Sequence, residues 1–484
     1  MRKSGIGKGA ERQRWAGHLK SDSQIRASVS GCRVIRILTQ KACSGAAWLV
    51  WSMGLMLAVF SSPAAQAEDL MDAYRQAIAS SPVIAQRLAL MQADHAGRTA
   101  ARAALLPHIA AGASAGVNST TISGVLPQRI SGSFHSDSYS ITLTQPLLDG
   151  PAYAALHAAG SRVRGDRAAL VYAQQALILD VTESYFGVLQ RVADARVARR
   201  QTRLLDSLYR EAQARLKVGA GDIVAVAQAR ARKDAARSAQ TSADDAVAVA
   251  IRRLGRLTHA PVAHLCDVRT FSPRGPDPDR MRQWVATAMR EQPILRQAKA
   301  ALQSYRDEVN VRRRAAWPTI SISGIAQHAY GVLLPDMQMN SAGASINFSM
   351  PIYAGGAIDA GVSEAHAQVR AERARIDDLD DRIRLDTQTA FLALRDSVPQ
   401  LTEAHAAARS AALSLKATRR GYEIGVRSIQ DVLTAASEAA QAQRDYERAL
   451  YAQIIARARL KAAAGILAPE DVAAINDLLR HCSR

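Results

Sequence analysis

Apolar residues recur at every third or fourth position through most of this chain, and in four short stretches the period drops to two. From Glu68 the spacing is helical: Leu70, Tyr74, Ala77 and Ile78, then Leu88, Met91 and His95. Pro82 lies inside that run and marks a boundary or kink, because it removes an N–H donor. The helical signal ends near Pro107. Ile109, Ala111, Ala113, Ala115 and Val117 then alternate with His108, Ala110, Gly112, Ser114 and Gly116. After a Ser/Gly/Asn-rich loop, Tyr139, Ile141 and Leu143 alternate with Ser138, Ser140, Thr142 and Thr144, up to Pro146. Period two predicts strands with one apolar and one polar face. Pro151 opens the next helix at a favoured first-turn position. Its seam, Leu170, Leu177, Val181, Tyr185, Val188 and Val192, keeps heptad-like steps. Unbroken from Ala152 to Lys217, it is roughly 100 Å long. A glycine-bearing turn over 218–222 reverses the chain, and a second helix returns from Ala225 to about Leu257.

After a Pro/Asp/Arg-rich linker within 261–280 the order repeats. Leu70–Pro107 aligns with Met281–Pro318 at an offset of 211, and Pro82 and Pro107 fall on Pro293 and Pro318. Ile320, Ile322 and Ala326 alternate with Thr319, Ser321 and Ser323; Ala344, Ile346, Phe348 and Met350 alternate with Gly343, Ser345, Asn347 and Ser349. Pro351 matches Pro146, and Gly355 matches Gly150. The second long helix turns over 422–434, and Gly425 stands 206 residues after Gly219. The unit of helix, two strands, long helix, turn and long helix occurs twice, over 68–260 and 281–465, with a C-terminal segment at 466–484. It is too long for a solenoid repeat and reads as an internal duplication. Pro399 has no counterpart in the first half and predicts a kink or break there.

Charge and cysteines change the picture at the ends. The chain has 484 residues and a formal net charge of +19, but residues 1–67 carry ten basic and two acidic side chains. That basic leader precedes an apolar run over 46–60 and Ala65-Gln66-Ala67, the layout of a secretory signal cleaved after Ala67. An uncleaved anchor is the alternative, although the run is short for a span. No later stretch supplies 18 uninterrupted apolar residues, so no transmembrane helix is expected. Cys32 follows a lipobox-like Val-Ser-Gly but lacks a preceding apolar run. Cys266 and Cys482 match no metal spacing and are expected to be unpaired thiols, with a disulfide in an oxidising compartment as the alternative.

Four amphipathic strands cannot enclose a pore, and lipid tolerates no open sheet edge. Three copies would supply twelve, with apolar residues outward and Ser, Thr, Asn and Gly inward. At this point the chain resembles the TolC family of outer-membrane factors over nearly its whole mature length. The resemblance is carried by the duplicated order, by Pro107 and Pro318 before the first strand of each half, and by Gln145-Pro146-Leu147 and Met350-Pro351-Ile352 after the strand pairs. It is carried most specifically by Tyr422-x-x-Gly425-x-Arg427-x-x-x-Asp431-Val-Leu. It implies a mixed α+β fold: a trimeric twelve-stranded transmembrane β-barrel continuous with a long α-helical barrel, four strands and two long helical hairpins per chain. It implies an outer-membrane location with the helical barrel in the periplasm. The implied partners are two further copies of the chain, outer-membrane lipid, a periplasmic adaptor, and an inner-membrane ABC exporter or proton-driven pump. General similarity within the family points to export of a protein toxin by a type I system; efflux of drugs or metals is the alternative.

The resemblance also assigns residues. Asp431 matches a pore-facing acid of the periplasmic constriction, where three copies would form a ring attractive to cations; a solvated helix-face acid is the plain alternative. The family's second acid falls on Thr434. Tyr422 and Arg427 match positions that tie neighbouring hairpin tips together. The usual acidic partner falls on Ala225, which leaves Asp222 as the nearest substitute. Gly219, Gly221 and Gly425 are read as tip turns and as adaptor docking points. Arg312, Arg313, Arg314 and Trp317 precede a strand, where basic and aromatic side chains suit a membrane interface; arginines at a helix C-terminus also suit its dipole.

No phosphate loop, zinc spacing or nucleophile elbow occurs, and the eleven histidines are scattered. No catalytic residue, metal or cofactor is expected. A sequence pI near 10.2 raises nucleic acid as a partner, but acids are interleaved with arginines along the helices, and no nucleic acid is expected. An exported coiled-coil or adhesin protein would share the helices but would not need the strand pairs.

Overall fold

A computed structural model describes residues 69–122, 130–262, 265–268, 271–331 and 336–479. The signal segment, Cys32 and Cys482 lie outside the described residues.

The duplication is visible in the element boundaries. Helix α1 (Leu70–Ser80) and α2 (Pro82–Ala103) precede strands β1 (His108–Ile122) and β2 (Ile130–Leu148). In the second half α5 (Met281–Glu291) and α6 (Pro293–Arg314) precede β3 (Thr319–Tyr330) and β4 (Gln338–Ser349). Pro82 and Pro293 each occupy the first turn of their helix, where the missing N–H costs no hydrogen bond. Each half then runs down a long helix and back up a shorter one. The first pair is α3 (Gly150–Lys217, 68 residues) and α4 (Ile223–Thr258). The second is α7 (Ala357–Glu423, 67 residues) and α8 (Ile429–Ala463). A short α9 (Pro469–Asn476) closes the described chain.

The strands form one antiparallel sheet in the order β1-β2-β3-β4, so β1 and β4 keep free edges. The register places like beside like. Ala113, Tyr139, Ile141 and Ala111 oppose one another on one face, continued by Ala326 and Ala342, while Ser114 meets Ser138 and Ser323 meets Ser345 on the other. Ile109, Tyr139, Ile141, Ile346 and Phe348 are all more than half exposed within the single chain. Among the described residues no helix is long and apolar enough to cross a membrane.

Two expectations need correction. Helix α7 continues through Pro399, so the break, one of the two outcomes expected there, does not occur. Phe391, Leu394, Ser397 and Leu401 are buried on either side of the proline, and Ser397 Oγ donates to Leu394 O at 2.6 Å. That packing outweighs one missing backbone bond. Cys266 is disulfide-bonded rather than a free thiol. It sits in the largest apolar cluster with Leu70, Val181, Tyr185, Phe186, Leu254 and Tyr451. The Tyr185 hydroxyl donates to Cys266 O and accepts from Cys266 N, both at 3.1 Å. This girdle takes in the linker and the C-terminal segment, where Val268 pairs with Leu479 and Asn476 Nδ2 donates to Asp69 at 3.0 Å.

Candidate functional site

The two hairpin tips are built on the same backbone plan. In the first, Val218, Gly219 and Ala220 donate to the carbonyls of Ala214, Leu216 and Arg215. In the second, Ile424, Gly425 and Val426 donate to those of Arg420, Tyr422 and Gly421. Every donor and acceptor is displaced by the same 206 residues. Gly219 (φ 73°) and Gly425 (φ 80°) take the left-handed conformation that reverses each chain. The returning helices are capped at matching positions, Asp222 on Val224 N at 3.1 Å and Ser428 on Asp431 N at 3.2 Å.

One exchange distinguishes them. In the first tip Arg215 stands against Gly221, whose added Cβ would come within 3.1 Å of the arginine Cβ and 2.8 Å of Leu216 N. In the second the partners are swapped. Gly421 faces Arg427, and a Cβ there would meet Arg427 Cγ at 2.8 Å. Each tip therefore carries one arginine wedged over one glycine, on opposite strands of the turn.

The tips meet through Tyr422. Its ring is buried among Leu205, Leu208, Ala229, Ile429, Val432 and Leu433, which joins all four long helices. The Arg215 guanidinium lies 4.3 Å from the ring centroid and also binds Glu211 at 2.9 Å. Burial pushes the tyrosine hydroxyl above its ordinary range, and Arg215 pulls it back. A cavity of about 300 Å³ lies between the tips, lined by Arg215, Gly221, Asp222, Tyr422, Ser428 and Gln430 among others.

Within the chain Arg427 and Asp222 are not joined. The Asp222 carboxylate is occupied by the cap of α4, and Arg427 is held over Gly421. Asp431 closes a capping box, its Oδ2 accepting from Ser428 N at 3.1 Å. Those bonds to Ser428, with Arg427 nearby, hold its carboxyl below the ordinary carboxylate range. At the other end of the helices Arg312, Arg313 and Arg314 form the last turn of α6. The Arg314 guanidinium covers the Trp317 ring at 5.2 Å, and both pack on Gly150 at the start of α3.

The family described as "Outer membrane efflux protein" matches residues 73–258 and 284–466, nearly the whole of both repeats. The chain belongs to this outer membrane efflux protein family. Several members are similar along their length. Outer membrane protein TolC of Escherichia coli K12 is 26% identical over 441 residues, 88% of each chain. The alkaline protease secretion protein AprF of Pseudomonas aeruginosa is 26% identical over 444 residues, 88% of this chain and 90% of its own. Protein CyaE of Bordetella pertussis is 27% identical over 441 residues, 84% of this chain and 86% of its own. The crystal structure of the Campylobacter jejuni CmeC outer membrane channel superposes with a TM-score of 0.75 at 18% identity, covering 86% of this chain and 91% of that one.

As a member of the outer membrane efflux protein family, this chain is an outer-membrane channel for efflux or secretion, not an enzyme. Sequence reasoning missed Arg215 in this site. The only trace was the Arg/Gly exchange at offset 206, which needs the two tips laid side by side to be seen.

Proposed function

We propose that three copies of this chain close one barrel in the outer membrane and carry an unfolded protein, delivered by an inner-membrane ABC exporter and a periplasmic adaptor, to the outside. The observation that carries the assembly is the four-stranded sheet with two free edges and a bare apolar face. Lipid would leave those edge groups unsatisfied. Two copies would make eight strands, whose interior side chains fill; three make twelve and leave a lumen lined by Ser, Asn and Gln. The likeness to a protein named for protease secretion supports protein cargo, and the family's description as efflux protein supports small molecules as the second reading.

In this assembly six tips meet at the periplasmic end. Three Asp431 side chains ring the constriction. Tyr422, Arg427 and Asp222 latch neighbouring hairpins, and the turns at Gly219, Gly221 and Gly425 receive the adaptor. Arg312, Arg313, Arg314 and Trp317 face the inner leaflet of the outer membrane. Deleting the gene in its host tests the cargo. Loss of a secreted protein with unchanged susceptibility to small toxic compounds is the expected result. Raised susceptibility with normal secretion would contradict it and favour the efflux reading.

A further inference from the structure

A basic pocket in the first repeat has no part in the tips or in the arginine cluster of α6. His95, Arg98, Thr99 and Arg102 form one exposed stripe of α2 and, with Leu156 of α3, line an open cavity of about 340 Å³. Gly160 of α3 forms part of the reason the cations can gather. Arg98 Nε and Arg164 Nη1 each lie 3.9 Å from where a Cβ on Gly160 would stand. The two guanidinium nitrogens are thus no more than about 8 Å apart, close enough for like charges to repel.

The neighbouring acids do not neutralise them. Among the described residues none of Arg98, Arg102 or Arg164 has a carboxylate within ion-pair distance. Arg164 donates to Ser161 Oγ at 2.9 Å, and that hydroxyl donates a hydrogen bond to Asp307 Oδ2 at 2.8 Å. Asp94, one turn from Arg98, is hydrogen-bonded to Asp166, which in turn faces Arg87. Arg98 and Arg102 thus reach the cavity with no carboxylate at ion-pair distance, an arrangement suited to an external anion.

Its height identifies the anion. Arg102 lies in the last turn of α2, and β1 starts at His108 with Ile109 68% exposed. The polar layer of a bilayer is about 5–7 Å thick on each side, and Arg98 to Arg102 spans about 6 Å of helix axis. Arg102 also coincides with Arg313 at the offset of 211, so both repeats set an arginine at this level. We propose that the pocket of His95, Arg98, Thr99 and Arg102, with Arg164 beside it, binds the phosphate of an anionic phospholipid in the periplasmic leaflet of the outer membrane. The proposal rests on the reading of the sheet as part of a membrane barrel.

The test uses the mature protein in nanodiscs of phosphatidylcholine, with and without phosphatidylglycerol, and in detergent with inorganic phosphate. Native mass spectrometry counts retained lipid, and thermal unfolding reports stabilisation. The wild type should retain phosphatidylglycerol over phosphatidylcholine and unfold at a higher temperature with it. Arg98→Gln with Arg102→Gln should lose about 10- to 30-fold of that preference, and Arg98→Lys with Arg102→Lys should keep part of it. Gly160→Leu sets an apolar side chain against the Arg98 and Arg164 guanidinium groups while leaving every charge, and should lose the preference as the glutamine pair does. Equal preference in the wild type and Gly160→Leu overturns the pocket. Full stabilisation by inorganic phosphate in detergent overturns the lipid assignment in favour of a free anion. Failure to enter nanodiscs at all overturns the barrel reading as well, whereas insertion without lipid preference overturns this proposal alone.

Discussion

Replacing Arg215 by Met tests what holds the two hairpin tips of one chain together. The guanidinium sits 4.3 Å from the Tyr422 centroid. Its side chain is 34% exposed and the tyrosine 8%. A cation–π contact contributes about 0.5–1 kcal/mol when exposed and about 2 when desolvated, so about 1 kcal/mol suits this half-covered pair. The one-turn bond to Glu211 adds about 0.3–0.5 kcal/mol. The loss of about 1.4 kcal/mol corresponds to tenfold more frequent separation of the tips. Hydrogen exchange reads this at Ile424, Gly425 and Val426, whose amides are bonded to Arg420, Tyr422 and Gly421. Their exchange should quicken about tenfold, while mid-helix amides of α3 stay unchanged. A double-mutant cycle with Tyr422→Leu should return a coupling near 1 kcal/mol, and Tyr422→Phe, which keeps the ring, should leave most of it. Coupling within about 0.3 kcal/mol of zero, the ordinary error of additivity, would refute the contact as the tie.

Three further outcomes follow from single features. Pro399→Ala restores a donor inside a continuous helix and should raise stability, by up to about 3 kcal/mol; a lower unfolding temperature would mean that the helix there depends on the proline. Ser428→Ala removes the cap of α8 and should cost about 1 kcal/mol, with exchange quickening only in the first turn. The backbone N–H of Ser428 first, then its hydroxyl, hold the Asp431 carboxyl below its ordinary range, so its contribution is present above the unfolded carboxyl range and fades as pH falls through the lowered value; the alanine variant keeps the backbone donor and should lose only part of that acid limb, whereas Asp431→Asn should lose all of it. Asp166 behaves oppositely. Burial first, then the hydrogen bond and charge of Asp94, push it from 3.8 up to about 6 against the pull of Arg87. The folded chain then holds a proton that the unfolded chain has released, so the contribution is full below about 3.8 and is lost as pH rises through about 6. Denaturation midpoints should show this decline in the wild type and not in Asp166→Asn.

Features governed by local backbone chemistry were legible from the residues. Pro82 and Pro293 announce helix starts because proline fixes φ and lacks a donor, and both helices begin there. Ser/Thr alternation with Ile, Leu and Phe marks strands because successive side chains point to opposite faces. Glycines at 219 and 425 mark reversals because only glycine takes positive φ cheaply. What escaped depends on contacts between distant segments. Pro399 does not end its helix, because flanking packing decides the outcome. The Cys266 disulfide has no signature in spacing, since its chain neighbours say nothing of what folds against them. Arg215 meets Tyr422 across two hairpins, more than two hundred residues apart in sequence, and the Asp431 cap was hidden behind a pore role that the resemblance supplied.

The number of chains in one barrel tests the account most directly. Native mass spectrometry of the mature protein released from detergent or nanodiscs, with electron cryomicroscopy of the same sample, should return three copies around one twelve-stranded wall continuous with a helical tube. A folded single copy that stays in solution without detergent would contradict it.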